Sequence, residues 1–365
     1  LSGEPFDKAG NSIISKNKTA SEWSTNRRKK ISEARKRGVK LLFIVEEDIE
    51  KSLEENAHRI YYSRMNLEED FNKDASPSDI LIVHIGKKMA DIILKSGKKT
   101  ITAVQKNILE NGKSELIKIS TEIEMNVKQT HEVLPTENVL GFIEGSDLKS
   151  ELIVVTAHYD HIGKEGNQVF NGADDDGSGT VGVMEIAKAF MEAKKQGKGP
   201  RRSILFMTVA GEEKGLLGSD YYSRHPEFPL ANTVANLNID MIGRIDKEHE
   251  GNSNYIYIIG SNMLSKELHE LNESCNSKYV NLALDYTYNS ADDPNRYYYR
   301  SDHYNFAKNN IPVIFYFNGV HEDYHQETDE VQKIDFQKME KISRLIFFTA
   351  WELANRNDRI KLDKK

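Results

Sequence analysis

Five short clusters of ionisable residues mark the second half of the chain, each just past an apolar run or in the loop that follows one. His158-Tyr159-Asp160-His161 comes directly after Leu152–Ala157 (LIVVTA). A histidine there can ligate a cation, and an acid two residues on can hold its other ring nitrogen or steer a ligand. Asn171 to Gly179 (NGADDDGSG) sets three carboxylates side by side. Their repulsion calls for a cation, or for the N-terminus of a helix starting at Gly177 or Ser178. The flanking glycines permit tight backbone geometry. Ala210 to Gly215 (AGEEKG) offers Glu212 and Glu213, one able to bind metal and the other to act as general base on a water. Asn238 to Gly243 (NIDMIG) places Asp240 at the end of an apolar strand, where an acid is seldom idle. Asp323-Tyr324-His325 forms the last cluster.

Taken singly, each has an ordinary explanation: a hydrogen-bonded loop histidine, an acidic helix start, a solvated glutamate pair. The set is more informative. His158, Asp175, Glu213, Asp240 and His325 supply two imidazoles and three carboxylates, a donor set suited to zinc or a similar divalent ion. Five donors exceed one tetrahedral site and suit two metals sharing one bridging carboxylate. Glu212 is then left to take a proton from the attacking water.

The elements that must position these residues follow from hydrophobic periodicity. Asn138–Glu144, Leu152–Ala157, Ser203–Val209, Val234–Ile239, Tyr255–Ile259 and Val313–Phe317 read as strands, and Ser178–Lys195 and Ile334–Asn355 as helices. Alternating strands and helices indicate an α/β sandwich with a largely parallel sheet, whose carboxyl ends gather chemistry. Upstream, Trp23–Arg37 reads as a basic helix stopped by Gly38, and Leu41–Val45 and Ile80–Ile85 as short strands. The alternation Ile117, Ile119, Thr121, Ile123, Met125, Val127 predicts a half-buried strand.

At 365 residues the chain has room for two domains at roughly 150 residues each. Its 57 acidic and 50 basic residues leave a net charge of −7, which argues against a basic nucleic-acid or membrane footprint. Runs such as Leu41–Val45 are too short to span a bilayer. The one cysteine, Cys275, excludes an internal disulfide framework and a cysteine-rich zinc site.

The clusters TAHYDHIG, NGADDDGSG, AGEEKGLLGS, NIDMIG and DYHQETD, in this order, resemble the M28 zinc peptidases, an aminopeptidase family with paired zinc ions. The resemblance covers roughly residues 138–355. It implies a three-layer α/β sandwich with a largely parallel mixed sheet, two zinc ions per chain and release of N-terminal residues from peptide substrates. It assigns His158 and Asp240 to one zinc, Glu213 and His325 to the other, and Asp175 as the bridge, with a cis peptide after it. Glu212 falls on the general base, Asp160 on the acid that orients the histidine ligand, and Tyr324 on a residue that steadies the oxyanion. His303, in Ser301-Asp302-His303, reads as structural, and His161 and His321 as neighbours of the ligands.

Residues 1–132 more loosely resemble a smaller α+β protease-associated (PA) insert, through ARKRGVKLLFIV and SDILIVHIG, with the catalytic domain at 133–365. Peptidases with this insert carry a helical catalytic segment before it, which this sequence lacks. The start at Leu1, without a Met or an apolar leader, reads as a processed or truncated product and, with the family, as an exported protein (periplasmic, cell-surface or secreted). The oligomeric state is not readable. Rival readings are a single-zinc glutaminyl cyclase on the same fold, a carboxypeptidase using Arg296 or Arg300, and a non-catalytic relative. The complete donor set argues against the first and last. For the two arginines, surface salt bridges are the preferred reading. Tyr297–Tyr299 could line a pocket or simply pack. His131, His225, His249 and His269 read as surface residues.

Overall fold

Leu152–Ala157 and the strands it meets carry apolar residues on both faces, as a sheet covered on both sides requires. The computed structural model describes residues 4, 6–7, 9–56, 65–71, 80–111, 116–126 and 132–363. The chain divides into two compact units, Leu1–Arg64 with Glu68–Val133, and Met65–Leu67 with Leu134–Lys365.

In the first unit, α1 (Glu22–Thr25) and α2 (Arg27–Lys36) precede β1 (Leu41–Val45), then α3 (Ile49–Glu55), β2 (Leu81–Ile85), α4 (Lys87–Leu94) and α5 (Ile101–Asn111). The expected basic helix is thus broken at Asn26, and Gly38 takes the left-handed φ of 71° after it. Strands β1 and β2 pair in parallel, Leu41 opposite Leu81. A small core of Ile85, Ala90 and Ile101 lies under them. The strand expected from Ile117 onward does not form within residues 116–126. Ile119, Ile123 and Met125 are all exposed, and among the described residues of the alternating set only Ile117 and Thr121 are half-buried. The segment is tied instead by Thr121 Oγ1 donating to the Ile93 carbonyl and by the Ser120 amide donating to Ser96 Oγ. Val127 lies outside the described residues.

The second unit contains β3 (Val139–Ile143), β4 (Leu148–His158), the hairpin β5 (Gly163–Glu165) and β6 (Gln168–Phe170), α6 (Gly179–Lys195), β7 (Arg202–Val209), α7 (Leu217–Arg224) and β8 (Thr233–Ile239). It continues through β9 (Tyr255–Ile259), α8 (Lys266–Tyr279), β10 (Ala283–Asp285), α9 (His303–Ala307), β11 (Val313–Phe317) and α10 (Phe336–Asn355). Seven strands form one sheet in the order β10-β9-β11-β8-β4-β7-β3. Its centre, β11-β8-β4-β7, is parallel, and antiparallel pairs β9–β11 and β3–β7 flank it.

Side-chain alternation along β4 separates two cores. Ile153, Val155 and Ala157 face α6, α8 and α10 through Val183, Phe190, Leu268, Cys275, Ile342 and Leu345. Leu152 and Val154 face the opposite layer, with Tyr222 of α7 and Phe306 of α9. The result is the expected three-layer α/β sandwich. Cys275 is fully inside it, and burial raises its thiol to about 11. Among the described residues no helix is long and apolar enough to cross a membrane.

Candidate metal centre

The four parallel strands end side by side, and their carboxyl ends deliver the ionisable clusters to one place. His158 is the last residue of β4, Glu212 and Glu213 follow β7, Asp240 directly follows β8, and His325 lies in the loop after β11. Asp175 arrives from the turn Ala173–Ser178 before α6, and its peptide bond to Asp176 is cis. A Cβ at Gly172 (φ 62°) would collide with the Asp175 carbonyl and the His161 ring, so the turn needs glycine there.

Asp175 sits between two groups of donors. Its Oδ1 is 3.3 Å from His158 Nε2 and its Oδ2 is 3.1 Å from His325 Nε2. His158 Nε2 is also 3.7 Å from Asp240 Oδ1 and 3.9 Å from Glu212 Oε2. On the other side, Glu213 Oε1 is 3.1 Å from His325 Nε2 and 3.0 Å from His161 Nδ1. A tetrahedral zinc with bonds of about 2.0–2.1 Å separates its donors by roughly 3.3 Å, so these spacings fit cations between the groups. Glu213 Oε1 and both ring nitrogens of His161 are buried without a hydrogen-bond partner, a condition a cation would relieve.

The charges respond to this crowding. Burial opposes a charge on His158, but Glu212, Asp175 and Asp240 outweigh it and raise its pKa well above the ordinary range. Burial would raise Asp175, yet His158 and His325 hold it well below the usual carboxylate range. Glu213 is lowered against the pull of burial by His161 and His325. Glu212 goes the other way: burial, with Asp240, Asp302 and Glu213 nearby, raises its pKa well above normal despite His158. Two adjacent glutamates are thereby driven apart, one toward a charged donor and the other toward a proton carrier. Tyr324 stacks on His325 at 3.9 Å between ring centroids, and burial, with Asp175, Asp240 and Glu213 nearby, keeps its hydroxyl protonated.

Surrounding residues hold the donors in place. Ser301 Oγ donates to Asp240 Oδ2 at 2.6 Å, and Ser301 Oγ in turn accepts from Asn238 Nδ2 at 2.9 Å. Thr156 Oγ1 donates to Asn238 Oδ1 at 2.6 Å and accepts from Asn236 Nδ2 at 2.9 Å, so a buried polar chain runs through the sheet to the site. The flanking acids of the turn are spent on structure. Asp176 accepts the amides of His158, Gly179 and Met241. Asp174 accepts the Gly243 amide at 2.6 Å and His321 Nε2 at 3.2 Å. Asp329 accepts the amides of Asp174 and Asp175.

Asp160 differs from its expected role. Its carboxylate is 3.9 Å from His158 Nδ1, beyond hydrogen-bond range, and the Asp160 main-chain carbonyl accepts from that nitrogen at 3.0 Å instead. The carboxylate is occupied by the amides of Glu212 and Glu213. His303 is buried against Phe315, and burial lowers its pKa to about 3. His249 is not the surface residue expected: it stacks on Tyr255 at 3.5 Å and meets Asp246 at 2.8 Å. His269 is likewise half-buried, 2.8 Å from Ser261 Oγ, whereas His131 lies outside the described residues. Neither Arg296 nor Arg300 pairs with an acid among the described residues; their guanidinium groups lie over Tyr299 and Tyr297.

The sequence profile of Peptidase family M28 matches residues 138–350, more than half of the chain. A probable leucine aminopeptidase of Trichophyton verrucosum is 33% identical over 215 residues, 56% of this chain and 55% of that protein. Aminopeptidase YwaD of Bacillus subtilis is 25% identical over 246 residues, 63% of this chain and 47% of that protein. The chain therefore spans about half the length of the curated relatives it matches. In fold it is similar to an aminopeptidase from Aneurinibacillus sp. strain AM-1, with a TM-score of 0.53 at 19% identity over 92% of this chain and 68% of that one. With the profile covering the strands, turns and loops that carry every donor above, this chain belongs to peptidase family M28.

Proposed function

We propose that the chain is a zinc-dependent exopeptidase that removes N-terminal residues from peptides. The observation that carries this reading is the placement of Asp175, with one carboxylate oxygen facing His158 and the other facing His325. In this reading His158 and Asp240 would hold one zinc and Glu213 and His325 the other, with Asp175 available to both. When bound, the ions polarise the scissile carbonyl and lower the pKa of water at the site.

The chain's own residues supply the rest. Glu212, its pKa raised by burial, takes the proton of the attacking water at its carboxylate and returns it to the leaving amine. Tyr324 keeps its hydroxyl proton and can donate it to the developing oxyanion. Asp160 fixes both glutamates through their amides. His161 Nδ1, 3.0 Å from Glu213 Oε1 and grouped with Asp175 and Glu213, is a further donor on that side of the site. The aminopeptidase direction rests on the names of the relatives. In the same reading the first unit, with its parallel β1–β2 pair, is a PA-like insert, and the protein is exported.

The test is metal analysis of the purified chain together with hydrolysis of aminoacyl p-nitroanilides, dipeptides and N-terminal glutaminyl peptides, with and without a chelator. Two zinc ions per chain and chelator-sensitive release from the amino end are expected. A single zinc with cyclisation of N-terminal glutamine, or hydrolysis indifferent to chelation, would overturn the reading.

A further inference from the structure

Arg300 is built into the mouth of the metal centre. It follows the single helical turn Tyr297–Tyr299 and directly precedes Ser301, whose hydroxyl is bonded to Asp240. That bond places the backbone next to Arg300 beside the site, while Arg300 itself is exposed. Arg300 lines the same cleft as Asp175, Glu212, Asp240, Tyr297 and Tyr324.

Its guanidinium lies over Tyr297 and is not paired with an acid among the described residues. The guanidinium carbon lies 4.9 Å from the centroid of the Tyr297 ring, and that ring is itself fixed against Phe317 at 5.0 Å and Tyr288 at 4.8 Å. Arg300 also hydrogen-bonds the Tyr297 side chain, and a guanidinium with five N–H donors keeps others for a second partner. Asp293, a buried acid of the same stretch, is already in use. One oxygen accepts the Asn295 amide at 3.1 Å and the other the Tyr297 amide at 3.1 Å. Other arginines of this unit are spent on carboxylates: Arg201 on Asp147, Arg202 on Glu151, Arg244 on Asp323. Among the described residues Arg300 has no such partner, although its charge reaches the Tyr324 hydroxyl across the cleft.

We propose that Arg300 determines specificity by binding a substrate carboxylate, so that the preferred substrates are short peptides carrying one close to the scissile bond. The inference rests on the peptidase reading above. The carboxylate has two possible sources with the same chemistry: the side chain of an acidic N-terminal residue, or the C-terminal carboxylate of a dipeptide. In either case a planar fork meets a carboxylate through two parallel N–H donors.

The test compares kcat/KM for two substrate pairs in the zinc-loaded enzyme and in R300Q and R300K. Glutamyl against leucyl p-nitroanilide probes the side chain, and Leu-Gly against Leu-Gly amide probes the terminal carboxylate. One pair is expected to show a preference for the charged member of roughly 10- to 100-fold, the range of a hydrogen-bonded charge pair. R300Q should collapse that ratio, mainly through KM, and R300K should restore part of it. The pair that responds identifies the source. No preference in either pair of the wild-type enzyme, or a preference undiminished in R300Q, would overturn the proposal. Failure to cleave any of the four in a chelator-sensitive manner would instead overturn the peptidase reading.

Discussion

The carboxylate of Asp160 accepts the main-chain N–H of Glu212 at 3.1 Å. Its second oxygen accepts the amide of Glu213 at 3.3 Å. The loop after β4 thereby grips the loop after β7 at the two residues that must divide labour, one as proton carrier and one as metal donor. The acid acts on the backbone of the glutamates, leaving the Asp160 carbonyl to orient His158.

Replacing Asp160 with Ala leaves both amides without that acceptor and frees the glutamate loop. Loss of such an outer contact lowers activity or metal affinity about 10- to 100-fold. We expect D160A to show a fall of that size in kcat with metal content reduced but not abolished. Unchanged kinetics would mean that the loop after β7 is held by its own turn.

Glu212→Gln preserves shape and removes the proton acceptor. Proton transfer by a positioned side chain contributes about 10²- to 10⁴-fold. E212Q should lose activity within that range and keep its zinc, as measured by metal analysis alongside kcat. Near-normal turnover would transfer the base role to another group.

Metal affinity should depend on pH through His325. Burial disfavours its charge, but Asp175 and Glu213 overcome this and raise its pKa to about 9, against an ordinary value of 6.5. A raised folded-state pKa stabilises the metal-free fold fully below about 6.5 and loses that contribution as pH rises through about 9. A cation must displace the same proton. Zinc titration at several pH values should show affinity climbing across this window, while the Tm of the chelated protein falls. A flat affinity profile would show that His325 is not a donor.

Ser301→Ala removes the hydroxyl that donates to Asp240 Oδ2. It also strands Asn238 Nδ2 inside the sheet. An unsatisfied buried donor costs about 1–3 kcal/mol. We expect S301A to bind one of its two zinc ions about 10- to 100-fold more weakly, as loss of an outer contact predicts. Thermal unfolding should also shift down by several degrees. Equal weakening of both ions would disconnect Ser301 from Asp240.

Much of the centre was legible because the parallel strands carry few ionisable residues before their carboxyl ends. An ionisable residue at the end of such a run, as His158 after LIVVTA or Asp240 after VANLNI, has nowhere to go but the carboxyl edge of the sheet. The roles of Asp174, Asp176 and Asp329 were less legible. Their partners, such as Gly243, Met241 and His321, are distant in sequence, and which acid of a DDD turn faces metal depends on the folded backbone. Ser301 is silent for the same reason, because its partner Asp240 lies 61 residues away. The failed strand at 116–126 shows the limit of periodicity: alternation predicts a face only where a neighbouring strand and a core exist to receive it. His249 looked isolated because its partners, Asp246 and Tyr255, acquire their meaning only when β9 lies under the loop.

The grip of Asp329 on the amides of Asp174 and Asp175 has a kinetic consequence. Asp329 belongs to the same loop as His325, so exchange at those two amides requires the bonds between that loop and the acidic turn to open. Their deuterium uptake is therefore a clock for the opening of the metal centre, readable without substrate. Zinc should slow that clock in proportion to its occupancy, which makes exchange at two backbone positions a direct gauge of how tightly the cations lock the loop shut.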